Sequence, residues 1–468
     1  MLVNSIIFWI FFAIFLLPYF SLMRESSRVQ NIWLLAASLV FYSYADYRMT
    51  ILLGVAILTF YLLGLAINKG TRKKAKGLTC MGIVLGAGLL LYFKYLNFFI
   101  EQFAALFGLM GLKTNFSSFN IIVPIGISFF TFKLIAYIVE VYKGNMEPCR
   151  DFVTFASYIA FFPTIMSGPI DAPKLLIPQM AKARTWQNDQ VAEGLKRVLW
   201  GMFMKMCIAD KVSGYTDAVF NNAYHHNATS IIVASVLYTF QIYADFSGYS
   251  EMAIGTSQIM GFRVTENFMR PYFSQNVGDF WRRWHASLMN WFQQYIYFPL
   301  GGSRCSKAKM YWNTMVVFMV SGLWHGANWT FIFWGAYHGL LVCGYKLLHP
   351  KKEAKTVTKI GGFLNILIVF ALITIGWQVF RCQSFGQFVG LWERIFKGFG
   401  PVFKSWALMG FIPIAILMLK ELKDEEGWNL HLLHSQKLWV QIVSFALIAV
   451  FILYFGELEG GSFIYFQF

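Results

Sequence analysis

Charge is scarce in this sequence. Only 13% of its 468 residues are Asp, Glu, Lys or Arg, where a soluble globular chain carries about 25%. With 57% hydrophobic residues and a mean hydropathy of +0.53, the composition excludes a water-soluble domain and indicates an integral membrane protein. Acidic residues are the scarcer sign, 23 against 39 basic ones, giving a net charge of +16. That excess does not call for nucleic acid as a partner. The basic residues crowd short loops, as the positive-inside rule requires of a protein whose partner is the lipid bilayer.

Other absences narrow the chemistry. The six cysteines (Cys80, Cys149, Cys207, Cys305, Cys343, Cys382) form no CxxC pair and no metal-ligand spacing, so they read as small core residues and no metal is expected. There is no GxSxG elbow, HExxH, Walker loop or GxGxxG. The chain offers no obvious covalent nucleophile and no bound cofactor. No small-residue cleavage site follows the apolar stretch 6–23; Arg24 and Arg28 come next, so it reads as a retained first span. No internal repeat is visible, unlike transporters built from repeated halves.

What is present is a series of roughly ten to twelve apolar stretches near the spanning length of about 20 residues. Nine are drawn at 6–23, 32–44, 51–67, 79–93 and 121–142, then 310–345, 361–380, 406–420 and 439–455. Arg24 and Arg28, and the cluster Lys69, Arg72, Lys73, Lys74 and Lys76, fall on the same side of this pattern. That places the N-terminus outside and these loops in the cytoplasm. The segment 152–170 holds two prolines and a glycine near its end, which predicts a re-entrant element. Residues 171–190 read as a polar cytoplasmic loop, and 190–211 as an interfacial helix or a tilted span. Residues 230–257 are apolar but hold Gln241, Asp245, Ser247, Tyr249 and Glu251, a polar density that demands a lined cavity or partners. Residues 262–302, rich in Trp, Arg and aromatics, read as short helices lying partly in the interface. One integral membrane domain, 1–468, follows, with N-terminal helices 1–110, a core 111–350 and C-terminal helices 351–468.

The run 310–345 contains no charged residue but includes His325, in Ser-Gly-Leu-Trp-His-Gly-Ala-Asn-Trp (321–329). An ionisable group at membrane depth is a functional-site hypothesis by default, and imidazole is the side chain suited to moving a proton near neutral pH. The run is too long for one straight helix, so a break is expected at 322–328. Asn328 lies at i+3 and could hold the ring or donate to an oxyanion if the helix continues, or simply relieve the break. Trp324 flanks the histidine. Of eight histidines, His225, His226, His349, His431 and His434 read as surface residues. His338, 13 residues on, would be roughly 20 Å away on a continuous helix, and is either functional or a packed, hydrogen-bonded residue. His285 sits beside two arginines and two tryptophans, a pattern of interface anchoring. Arg282 and Arg283 could meet headgroups or donor phosphates. Asp245 and Gln241 share a helix face, and a buried Asp needs a partner.

Seven motifs together carry a resemblance: Tyr92-Phe-Lys-Tyr95, Pro124-Ile-Gly-Ile-Ser-Phe129, Ser167-Gly-Pro169, Tyr243-Ala-Asp-Phe-Ser-Gly-Tyr249, Phe280-Trp-Arg-Arg-Trp-His285, Tyr295-Ile-Tyr-Phe-Pro-Leu-Gly-Gly302 and Gly322-Leu-Trp-His-Gly326. The C-terminal Phe463-Ile-Tyr-Phe-Gln467 is also similar. The chain resembles the membrane-bound O-acyltransferase family, in its bacterial branch of alginate and peptidoglycan O-acetylases and teichoic-acid D-alanyl transferases. The Pro299–Gly302 tail looks more like the acetylases. The resemblance implies an all-α polytopic fold with a central funnel in a bacterial plasma membrane. It implies His325 as the essential histidine and His285 as a second functional one. It further implies acetyl-CoA as donor, and an SGNH-like extracytoplasmic or membrane-anchored acetyltransferase partner or a polysaccharide as acceptor. D-alanyl transfer from a carrier-protein thioester, or a transporter or flippase, are the competing readings.

Overall fold

The computed structural model describes residues 1–44, 46–112, 119–349, 358–428, 433–435, 437–457, 461 and 463–464. Among these, regular structure is entirely helical, as the apolar periodicity requires. Six helices are long and apolar enough to cross a membrane: Tyr47–Lys69, Arg72–Leu109, Ala228–Ile259, Trp329–Leu348, Lys359–Arg381 and Leu438–Phe455. Others expected as spans are shorter or more polar, among them Ile6–Ser21, Ser27–Ser43 and Ile127–Tyr142.

Compactness divides the chain into two units: Met1–Leu195 with Ala253–Thr265, and Lys196–Met252 with Glu266–Phe468. Two of the three divisions fall inside helices, Asn188–Met202 and Ala228–Ile259, and the third in irregular backbone after Thr265.

In the first unit, the basic cluster expected in a loop lies on a helix instead. Arg72, Lys73, Lys74 and Lys76 open the stretch Arg72–Leu109, which continues through a π-helical turn, Leu91–Tyr95. Gly82 lets this helix press on Ile127–Tyr142; a Cβ there would sit 2.5 Å from Ile138 Cδ1. The expected re-entrant segment is a short helix, Phe152–Ala160, followed by non-helical backbone over 161–170, all buried. The prolines deny it helical hydrogen bonds. Partners elsewhere compensate: Ser38 Oγ accepts from Phe162 N at 3.3 Å. Asp171, read as the start of a polar loop, is buried instead. Its Oδ1 accepts from Thr265 N and Oγ1, each at 2.8 Å. The presumed loop after it contains the helix Pro173–Met180.

In the second unit, a π-helical turn, Phe203–Ala209, leads into the helix Asp210–Asn221. The turn and the helix end before it pack closely against Ala228–Ile259, because Gly201 faces Gly248: a Cβ on Gly248 would lie 2.8 Å from Gly201 O and 3.1 Å from Lys205 N. The uncharged run is a helical hairpin, Lys307–His325 and Trp329–Leu348, broken at Gly326–Asn328 as its length predicts. Gly335 brings the two arms together; a Cβ there would lie 2.4 Å from Phe318 O. The Trp- and Arg-rich stretch forms the short helices Val277–Arg283 and Ala286–Phe292 and a π-helical turn, Gln293–Tyr297. The apolar stretch at 406–420 becomes a 3-10 turn and a helix, Phe411–Glu426, that runs on into acidic sequence.

Candidate active site

His325 is the last residue of its helix and 95% buried. Aromatic rings hold it on several sides: Trp324 at 4.9 Å, Trp334 at 4.9 Å and Phe380 at 5.1 Å between centroids, all edge-on. The residues that follow it, Gly326, Ala327 and Asn328, line a cavity of about 490 Å³ within the second unit. Phe331 and Phe380, which touch the His325 ring, line it as well. The imidazole therefore stands just behind the wall of a polar chamber.

The chamber's polar groups come from several helices. Gln241 and Asp245 project from Ala228–Ile259, Lys205 from the π-helical turn, Asp210 from the helix after it, and Arg381 from Lys359–Arg381. Lys205 Nζ lies 2.8 Å from Asp210 Oδ1 and 2.7 Å from Asp245 Oδ1. Asp245 Oδ2 accepts from Ile464 N at 2.7 Å. The buried aspartate thus has the basic partner its burial demanded. Gln241 Oε1 accepts from Thr216 Oγ1 at 2.6 Å. Arg381 Nη2 bonds Asp217 Oδ1 at 2.7 Å and Asn221 Oδ1 at 3.1 Å.

Asn328 does not lie on a continuing helix face with His325. It caps the next helix, its Oδ1 accepting from Thr330 N at 3.0 Å and its Nδ2 donating to Gln383 O at 2.8 Å. It lines the chamber while relieving the break. Ser247 is buried but does not line it.

His285 is 99% buried and takes a left-handed conformation, φ 46° and ψ 50°, at the head of Ala286–Phe292. Such backbone is uncommon for a non-glycine residue and costs about 1–3 kcal/mol. Its Nδ1 lies 2.9 Å from Asn267 Oδ1. Phe246, at 4.6 Å, and Phe268, at 6.4 Å, pack on the ring. Burial pushes its pKa down to about 3, which keeps the imidazole neutral. Trp324 connects the two histidines, 6.1 Å from His285 and 4.9 Å from His325. The hairpin and the short helices thereby bring together residues 40 positions apart in sequence.

Other expected site residues lie apart from the chamber. Arg282 and Arg283 do not line the chamber. Arg283 is held by Asp279 at 2.9 Å and Glu425 at 2.9 Å, and the exposed Arg282 pairs with Asp279 at 3.0 Å. His338 is packed, but neither ring nitrogen has a hydrogen-bond partner among the described residues. It is boxed by Trp281 at 4.9 Å and Trp334 at 4.8 Å. Because the helix breaks, His325 and His338 both lean on Trp334, closer than a continuous helix would allow. His431 and Tyr465–Gln467 lie outside the described residues.

Sequence reasoning missed Lys205, Asp210, Asn267 and Arg381. Lys205 carried a usable signal, a lone charge in Phe-Met-Lys-Met-Cys-Ile-Ala. Asn267 carried none, because its partners lie 18 and 20 residues away in irregular backbone.

Residues 39–385 match the membrane-bound O-acyltransferase family. The chain is 36% identical over 410 residues to the probable alginate O-acetylase AlgI of Azotobacter vinelandii, covering 86% of this chain and 79% of that one. It is 33% identical over 383 residues to the peptidoglycan O-acetyltransferase of Helicobacter pylori, covering 76% and 71%. Against the teichoic acid D-alanyltransferase of Bacillus subtilis, identity is 30% over 280 residues, covering 57% and 70%. With this match, a helical fold and a buried histidine behind a polar chamber, the chain belongs to the membrane-bound O-acyltransferase family and is a multi-pass membrane O-acyltransferase.

Proposed function

We propose that this enzyme transfers acetyl from cytoplasmic acetyl-CoA to a hydroxyl of a cell-surface polysaccharide, or of an extracytoplasmic protein that passes acetyl on. It would do so in a bacterial plasma membrane, with His325 as general base. The observation that carries the reading is the placement of His325 at the helix break, directly behind a chamber lined by Lys205, Asp210, Gln241, Asp245 and Asn328. Carboxylate and amide oxygens suit a hydroxyl-bearing acceptor, since they accept its hydrogen bonds.

The chemistry balances without a covalent enzyme intermediate. The acceptor oxygen attacks the thioester carbonyl carbon as the His325 imidazole takes the hydroxyl proton. The tetrahedral species collapses, the carbon–sulfur bond breaks, and the proton passes to the leaving CoA thiolate. Alignment of two bound reactants supplies much of the barrier reduction. His285 joins as the second functional histidine across Trp324.

The greater identity and coverage of the acetylases favour acetyl over D-alanyl as the transferred group. The test is His325→Ala in purified enzyme and in cells. Loss of a general base lowers the rate by about 10² to 10⁴-fold, so acetyl-CoA turnover should fall by that factor while the protein stays folded and inserted. Mass spectrometry should then find the cell-surface polymer unacetylated. Near-normal acetylation by His325→Ala would refute the role, and D-alanyl esters lost in place of acetyl would overturn the donor.

A further inference from the structure

We propose that Asn267 is a positioning residue that fixes which nitrogen of His285 carries the proton; the inference rests on His285 being functional, as proposed above. The argument is one of donors and acceptors. Asn267 Oδ1 lies 3.3 Å from Ser287 N and 2.9 Å from Ser287 Oγ. A backbone N–H can only donate, so the amide atom facing it is the oxygen. The other amide atom, Nδ2, donates to Ser250 Oγ at 3.1 Å, consistent with that orientation. His285 Nδ1, 2.9 Å from the same Oδ1, must therefore carry hydrogen. A neutral imidazole then leaves its lone pair on Nε2.

Nε2 is buried and has no hydrogen-bond partner among the described residues. A buried acceptor without a partner is uncommon and asks for one. A hydroxyl or thiol of a bound substrate is the kind of group that would complete it. Asn267 also holds the strained backbone, its own carbonyl accepting from Ala286 N at 2.9 Å. One fully buried amide residue thus grips His285, Ala286 and Ser287 together.

No carboxylate replaces the amide in this role. Along the elements packed on the ring, the nearest charged groups are engaged elsewhere. Asp245 is held by Lys205, Glu266 by Arg197, and Arg283 by Asp279 and Glu425. His325 stands beyond Trp324. An amide orients the ring without raising its proton affinity, so the Nε2 lone pair stays available at neutral pH.

Two variants of the full-length enzyme in lipid nanodiscs test this. In Asn267→Leu, kcat for acetyl-CoA consumption should fall about 10²-fold, with KM for acetyl-CoA unchanged. Nitrogen-15 imidazole spectra, with His285 assigned by its loss in His285→Gln, should show the Nδ1–H form in the wild type and lose it in the variant. Asn267→Asp preserves shape and the oxygen that faces His285 and Ser287, guarding against a fold defect. It should keep the Nδ1–H form but raise the pH at which the His285 ring takes up its second proton, read from the same nitrogen-15 signals, by about one unit or more, since a carboxylate favours imidazolium. An unchanged His285 spectrum in Asn267→Leu, or a His285 ring in Asn267→Asp that titrates as in the wild type, would overturn the proposal. A fully active His285→Ala would instead sink the role of His285, and the tautomer spectra would still decide what Asn267 does.

Discussion

Lys205 satisfies two buried carboxylates at once. Its side chain and those of Asp210 and Asp245 are each no more than 6% exposed. Removing one member of a buried ion pair typically costs about 3–5 kcal/mol, because the remaining charge is left without compensation. Lys205→Met should therefore destabilise the enzyme by about that much, lowering its thermal midpoint in detergent. Asp245→Asn should cost less, since Lys205 keeps Asp210. Equal midpoints for Lys205→Met and the wild type would show that the cluster does not hold the chamber together. At this scale the sequence was partly legible. His325 and Asp245 announce themselves because an ionisable group in an apolar run has few bland explanations. Their partners do not. Lys205 and Asp245 are separated by 40 positions and meet only because the Gly201–Gly248 contact lets two helices touch. The surroundings of Arg282 and Arg283 were not legible, because sequence shows a guanidinium but not the Glu425 carboxylate, contributed by the distant helix Phe411–Glu426, that holds Arg283.

Among the elements, the broken hairpin was the most readable. A bilayer fixes how long a straight span can be, and 36 uncharged residues with a glycine near their middle exceed it. The hairpin's closeness is less readable, since a glycine in an apolar helix can mean contact or nothing. Here Gly335 and Gly344 separate the two cases. A Cβ at Gly335 would collide with Phe318 O at 2.4 Å, whereas at Gly344 nothing lies within 4 Å. Gly335→Ala should force the arms apart at about 1–3 kcal/mol, the usual cost of overpacking. It should reduce turnover, because His325 ends one of the displaced arms. Gly344→Ala should leave both stability and turnover near wild type. Comparable acetyl-CoA turnover in the two variants would refute the claim that this contact positions His325. The helix Pro173–Met180 and the continuous stretch Arg72–Leu109 escaped a reading based on hydropathy, since charge at their starts resembles a loop.

For the whole molecule, membrane residence follows from composition and helical spans from the length of the apolar runs, whereas the two compact units follow from neither. Two of their three boundaries cut through the helices Asn188–Met202 and Ala228–Ile259, where neither proline nor polar linker marks a division. Orientation is a separate property, set by where basic residues sit relative to each span. Arg24 follows Ile6–Ser21, and Tyr47–Lys69 ends beside Arg72, Lys73, Lys74 and Lys76. Between these two basic sites the chain passes through Ser27–Ser43 and Tyr47–Lys69, two helical passages, so both sites return to one face of the bilayer. The positive-inside rule makes that face cytoplasmic and puts the N-terminus outside. The side chain of Lys73 is exposed, which makes it a suitable reporter. A cysteine at position 73 in a cysteine-free background should resist a membrane-impermeant maleimide in intact cells and react once the membrane is opened. Labelling of intact cells at that position would reverse the orientation.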